Sequence, residues 1–179
     1  MKVNLEKYDG LGNDYIIYDP HKNELELTTE NIKLICNRNF GVGADGILVG
    51  PIYKDDGVYV RIFNPDGSES ETSGNGIRIF AKYLKDAGYV QKKHFTIHAE
   101  GGPVDITYLN EEGSRLKVSM GKLSFWSDEI PVVGERREVI NEDMVFGRTL
   151  YPATCVSIGN PHCVIPMREI SKPLVIKIG

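Results

Sequence analysis

The chain has 179 residues, enough for one ordinary domain or two small ones and for a core that needs no staples. Charged residues make up 26% and hydrophobic residues 41%, a soluble globular composition, and a formal net charge of −4 argues against a nucleic-acid partner, because an acidic chain gains nothing from counterion release. No stretch approaches the roughly 18 apolar residues of a membrane span, and the opening MKVNLEKYDG has no apolar run behind its lysine, so no signal peptide is read and the cytoplasm is the expected compartment.

The first distinctive segment is Asp9-Gly10-Leu11-Gly12-Asn13-Asp14-Tyr15. Its glycines permit positive φ and close backbone approach, and Asn13 can both donate and accept. Taken alone it reads as a turn between two strands. A helix is expected over Glu30 to Arg38, with Thr29 as its cap. Phe40-Gly41-Val42-Gly43-Ala44-Asp45-Gly46 follows and formally matches GxGxxG. A dinucleotide site needs a strand before and a helix after; here a helix precedes and Ile47-Leu48-Val49 follows as a strand, so a tight helix-to-strand turn is the better reading.

Val58, Val60 and Ile62 alternate with Tyr59, Arg61 and Phe63, a period of two that marks a strand with one buried face. The same period recurs over 95–98, 104–108 and 116–120, with Asn110-Glu111-Glu112-Gly113 as the loop of a hairpin. Between them, Ile77, Phe80, Ala81 and Leu84 fall at i, i+3, i+4 and i+7, an amphipathic helix that starts at Ser73, a good N-cap type, and ends near Gly88. The polar loop leading into it, Phe63 to Gly74, delivers a Gly-Asn-Gly helix start. Unpartnered N–H groups and the dipole there favour an anion, and Gly74 and Gly76 put no side chain in its way. An N-cap on a buried helix accounts for the same residues.

After Met120 the patterning loosens and Pro131 and Gly134 interrupt it, so a boundary is placed near 121, giving 1–120 and 121–179 as domains. Ser157 to Val164 reads as a turn at Asn160-Pro161 between apolar strands, with His162 beside it. The order of elements indicates an α+β fold, with a mostly antiparallel sheet wrapped around the 74–87 helix. The cysteines, Cys36, Cys155 and Cys163, are odd in number and form no CxxC pair, so neither a disulfide framework nor a zinc site is expected and free buried thiols are.

Together, GLGNDY at 10–15, GVGADG at 41–46, FNPDGSESETSGNGIR at 63–78, IFAKYL at 79–84 and GNPH at 159–162 resemble the diaminopimelate epimerase family. The resemblance spans almost the whole chain. It implies two similar strand-rich barrels, each around a central helix, with the second one incomplete in this sequence. It implies a cofactor-independent and metal-free epimerase that interconverts LL- and meso-diaminopimelate for lysine and peptidoglycan precursors. In such a family one cysteine thiolate removes the α-proton and a second thiol returns one on the opposite face. Asn13, Asn64, Gly74, Asn75 and Asn160 match substrate-binding positions, His162 matches a supporting histidine near the thiols, and Asp14 and Arg78 take scaffold roles.

Two departures stand out. Ser73 occupies the position of the family's first catalytic cysteine, where it can cap the helix or act as a weak relay. The family's later Glu-Arg pair and its Cys-Gly-Thr-Gly-like segment are absent, and none of the three cysteines sits in such a motif. The expectation is therefore an inactive part of a two-base epimerase acting on a small amino acid. A racemase of another amino acid on the same scaffold and a non-catalytic amino-acid binding module remain alternatives. A homodimer is left open, and neither nucleic acid nor membrane is expected as a partner.

Overall fold

The computed structural model describes residues 2–54 and 57–178. The chain divides into two compact units, Met1–Met120 and Gly121–Gly179.

Unit 1 contains β1 (Leu5–Gly10), β2 (Asn13–Tyr18), α1 (Thr29–Cys36), β3 (Ile47–Lys54), β4 (Gly57–Phe63), α2 (Gly74–Asp86), β5 (His94–Ala99), β6 (Gly102–Tyr108) and β7 (Leu116–Ser119). The seven strands form one sheet in chain order. α2 packs against β1, β2, β3 and β7. One helix can touch both edge strands of a seven-stranded sheet only if the sheet curls around it. The fold is α+β, a curled half-barrel with a helix inside.

The expectation of a mostly antiparallel sheet needs one amendment. β2 pairs with β3, and β4 with β5, in parallel. Parallel neighbours require a crossover, and α1 and α2 are those crossovers. A period-two pattern reports burial on one face and is silent on direction, so the alternation could not reveal this.

α2 is set by its sequence. Ile77, Phe80 and Leu84 are fully buried on the stripe read from the spacing. Each contributes about 1.5–3 kcal/mol by leaving water. They join Leu48, Ile62, Ile97 and Ile106 from the sheet in the main core. Tyr108 reaches across from β6 and donates its hydroxyl to the Ala81 carbonyl at 2.7 Å. A smaller core lies under α1, where Ile32 and Cys36 meet Ile16, Ile47 and Phe63.

The α1 cap is Thr28 rather than Thr29. Thr28 has extended backbone, and its hydroxyl accepts from the Asn31 N–H at 3.3 Å. Two neighbouring threonines are equally good caps chemically; the one that leaves the helical φ/ψ region does the capping.

Unit 2 holds β8 (Glu142–Phe146), β9 (Thr149–Ser157), β10 (Pro161–Val164) and α3 (Lys172–Ile178), with the sheet ordered β10-β9-β8. Its core is small: Ile130, Val139 and Cys155, backed by Val132 and Met144. α3 buries none of its described residues. Among the described residues no helix is long and apolar enough to cross a membrane.

Candidate active site

The site in unit 1 is built where the polar loop after β4 turns into α2. The loop is tied down at both ends: Ser70 N–H donates to the Ile62 carbonyl at 2.8 Å, and Gly101 N–H donates to the Glu71 carbonyl at 2.7 Å. Ser73 ends it with extended backbone, and its Oγ accepts from the Gly76 N–H at 3.0 Å. That is the N-cap expected from the sequence. The same Oγ also accepts from the Tyr15 hydroxyl at 3.1 Å. Two donors thus converge on one hydroxyl oxygen at the positive end of a 13-residue helix.

The backbone N–H groups of Gly74 and Asn75 have no backbone acceptor among the described residues, as the first turn of a helix dictates. The two glycines here differ in kind. A Cβ on Gly76 would meet Ser73 Oγ at 3.1 Å and Leu48 Cδ2 at 3.2 Å, so packing demands glycine there. A Cβ on Gly74 would meet nothing closer than 3.6 Å, from Met120. The protein's own packing does not need Gly74 bare: a methyl there would make only ordinary van der Waals contact with Met120 and Arg78.

Side chains flank this mouth in one hydrogen-bonded chain. Arg78 donates to Asn75 Oδ1, Asn75 Nδ2 donates to Asn13 Oδ1 at 3.2 Å, and Asn13 Nδ2 donates to Asp45 Oδ2 at 2.9 Å. Arg38 bridges Asp45 at 2.7 Å and Asp14 at 3.0 and 2.7 Å, and Lys7 meets Asp14 at 2.8 Å. The bonds from Arg38 hold the Asp14 carboxyl well below its usual range against the opposing effect of burial, with Lys7 adding to them. Asp45 is lowered chiefly by the Asn13 bond, again against burial, and then by Arg38. Cations close both ends of the chain, so the two asparagine amides have fixed orientation. Asp14 and Arg78, expected to take scaffold roles, each bond to neighbouring side chains in this network.

The turn that carries Asn13 is a two-residue hairpin loop. Gly10 pairs with Asn13, leaving Leu11 and Gly12 at φ 61 and 83. That is the primed turn that suits strand twist. Glycine provides only one of the two positive-φ positions; Leu11 holds the other.

The remaining expected residues have other hydrogen-bond partners among the described residues. Asn64 donates to the Ser68 hydroxyl at 2.9 Å within its own loop, and among the described residues it bonds to neither Asn13 nor Asn75. Asn160 and His162 belong to unit 2, at the β9–β10 turn, where both are exposed and His162 Nε2 lies 3.0 Å from Asn160 Oδ1. Sequence reasoning missed Tyr15, Arg38 and Asp45. Asp45 lay in the glycine turn read as structural. The Tyr15 contact joins positions 58 residues apart, with no local signal.

The half-barrel with a helix mouth defines a class of fold shared with racemases. A hydroxyproline epimerase from Agrobacterium vitis superposes with a TM-score of 0.63 over 92% of this chain and 51% of that one, at 10% identity, a likeness of fold. Sequence takes the assignment further. A sequence model described as diaminopimelate epimerase matches residues 5–126. The chain belongs to the diaminopimelate epimerase family. Diaminopimelate epimerase 2 of a Nostoc species is 47% identical over 97% of this chain and 61% of its own length. Diaminopimelate epimerase of Trichodesmium erythraeum is 37% identical over 100% of this chain and 65% of its own. The chain thus spans under two thirds of these relatives.

Proposed function

We propose that the mouth of α2 binds the α-carboxylate of an amino acid of the diaminopimelate type, as the first half of a cofactor-independent epimerase site. The observation that carries this is the helix start: N–H groups of Gly74 and Asn75 without a backbone acceptor among the described residues, a glycine at 74 that the protein's own packing does not require, and a doubly hydrogen-bonded residue 73 at its edge.

The chemistry follows from where charge would develop. An α-proton is weakly acidic, and its removal pushes electrons into the adjacent carboxylate. Fixed donors aimed at that carboxylate lower the barrier without having to reorganise. The Gly74 and Asn75 amides serve as those donors, and the anchored Asn13 and Asn75 side chains line the same mouth. Residue 73 sits where a base must stand. Both bonds to its Oγ stabilise negative charge on that atom, which suits a thiolate. A hydroxyl is far less acidic than a thiol with its pKa of about 8.5 and needs a separate base to be activated. Ser73 therefore binds and positions better than it deprotonates. That also favours a second reading, an amino-acid binding module without turnover.

One experiment separates them. The α-hydrogens of diaminopimelate are followed by NMR in deuterated water with the parent chain and with its Ser73→Cys variant. The epimerase reading expects exchange with the variant and little with the parent. Saturable binding with no exchange in either form points to the binding module. Exchange of a different amino acid alone moves the substrate assignment to another racemase.

A further inference from the structure

Cys155 and Cys163 are the feature of this fold that the site above leaves unused. β9 and β10 are antiparallel, and Cys163 stands directly opposite Cys155. Cys155 N–H donates to the Val139 carbonyl at 2.9 Å, on the side of β9 away from β10. Ser157, two residues on, exchanges bonds with Ser124 on that same side at 2.8 and 3.0 Å. Backbone groups alternate sides along a strand, so Val156 and Thr154 face β10. The Cys155–Cys163 pair is then of the non-hydrogen-bonded type, in which opposed Cα atoms are about 4.5 Å apart and side chains come closest. A disulfide needs a Cα separation of roughly 4.4–6.8 Å. The thiols also sense each other: burial and then the neighbouring Cys163 push the Cys155 thiol up to about 11.

The two cysteines differ in access. Cys155 is buried and Cys163 is exposed, on β10, which among the described strands pairs with β9 alone and so lies at the edge of the sheet. Free buried thiols, expected from the sequence, hold for Cys36 and Cys155 but not for Cys163.

We propose that Cys155 and Cys163 form a reversible cross-strand disulfide, a redox modification site driven by a small-molecule disulfide such as oxidised glutathione. The Cys163 thiolate attacks a sulfur of the oxidant and expels one thiol, leaving a mixed disulfide. Cys155 then loses its proton to water, attacks the Cys163 sulfur and expels the second thiol. Two electrons pass from the cysteines to the oxidant, and two small thiols are released for one protein disulfide. Its exposed edge position makes the bond accessible to reducing thiols, so the step reverses. Closure pins β10 to β9 next to His162 and Asn160. Any effect on substrate rests on the proposed function above; the disulfide itself does not.

The test treats the 179-residue chain with oxidised glutathione, then counts thiols after denaturation and maps the peptides. The expected result is loss of two of the three thiols, a peptide joining Cys155 to Cys163, and full recovery with dithiothreitol. Cys163→Ser, an exposed change that spares the core, should keep both remaining thiols under the same treatment. Persistence of all three thiols, a glutathione adduct on Cys163 without closure, or cross-linking between chains would each overturn the proposal. Because the readout is thiol chemistry, its failure leaves the epimerase reading standing, and the reverse also holds.

Discussion

Replacing Ser73 with cysteine puts a thiol where the Tyr15 hydroxyl and the Gly76 N–H already converge, at 3.1 and 3.0 Å from the present oxygen. A hydrogen bond to a charged group is worth about 1.5–3 kcal/mol, and a helix N-terminus about 0.3–1 kcal/mol for an anion. Partial burial opposes both. A net gain of about 2 kcal/mol for the thiolate corresponds to about 1.5 pKa units, since one unit is about 1.4 kcal/mol, and brings a thiol of about 8.5 to about 7. Adding Tyr15→Phe removes one donor and should return about one unit. The assay is the pH dependence of iodoacetamide alkylation in a Cys163→Ser background under reducing conditions. Cys36 and Cys155 stay silent there, because burial pushes each thiol up to about 11. A pKa for the introduced thiol at or above the ordinary thiol value, or one that ignores Tyr15→Phe, refutes the reasoning.

Other substitutions probe the frame. Gly74→Ala should leave stability unchanged or raise it by up to about 1 kcal/mol in a urea melt, because the added methyl has room and glycine is a poor helix residue, yet weaken amino-acid binding measured by calorimetry. Leu11→Gly should stabilise the chain by about 1 kcal/mol, since a bulky side chain at φ 61 is strained and this one is 91% exposed with no packing to lose. Asp14→Asn should cost about 1 kcal/mol, a figure kept small because its partners Lys7 and Arg38 are 40% and 54% exposed. The sign of its pH dependence is fixed. The folded carboxyl is held below its unfolded value, so its contribution is complete above an unfolded pKa of about 3.9 and fades as pH falls toward the folded value. Acid titrations of stability should therefore fall less steeply for Asp14→Asn than for the parent chain.

Where sequence reasoning succeeded, the signal was local. Ile77, Phe80, Ala81 and Leu84 declare α2 because burial on one helix face needs that spacing, and Ser73 declares its start because orphan N–H groups need an oxygen. The β6–β7 hairpin was legible from alternation and from Gly113, which sits at φ 66. What stayed hidden depends on contacts distant in sequence. Nothing near Tyr15 says its hydroxyl will meet Ser73. Asp45 becomes a partner of Asn13 only once α1 returns the chain beside β2. The bond from the Asn64 amide to the Ser68 hydroxyl of its own turn was likewise not announced by its motif. The opposition of Cys155 and Cys163 depends on strand register, which shifts with a single residue in the turn.

The most direct test of the account is an amide chemical-shift titration of the isotopically labelled chain with diaminopimelate. Saturable shifts centred on Gly74 and Asn75, with smaller ones at Asn13, are the predicted result. Unmoved amides at those positions at saturating amino acid, or shifts confined to other parts of the fold, would contradict it.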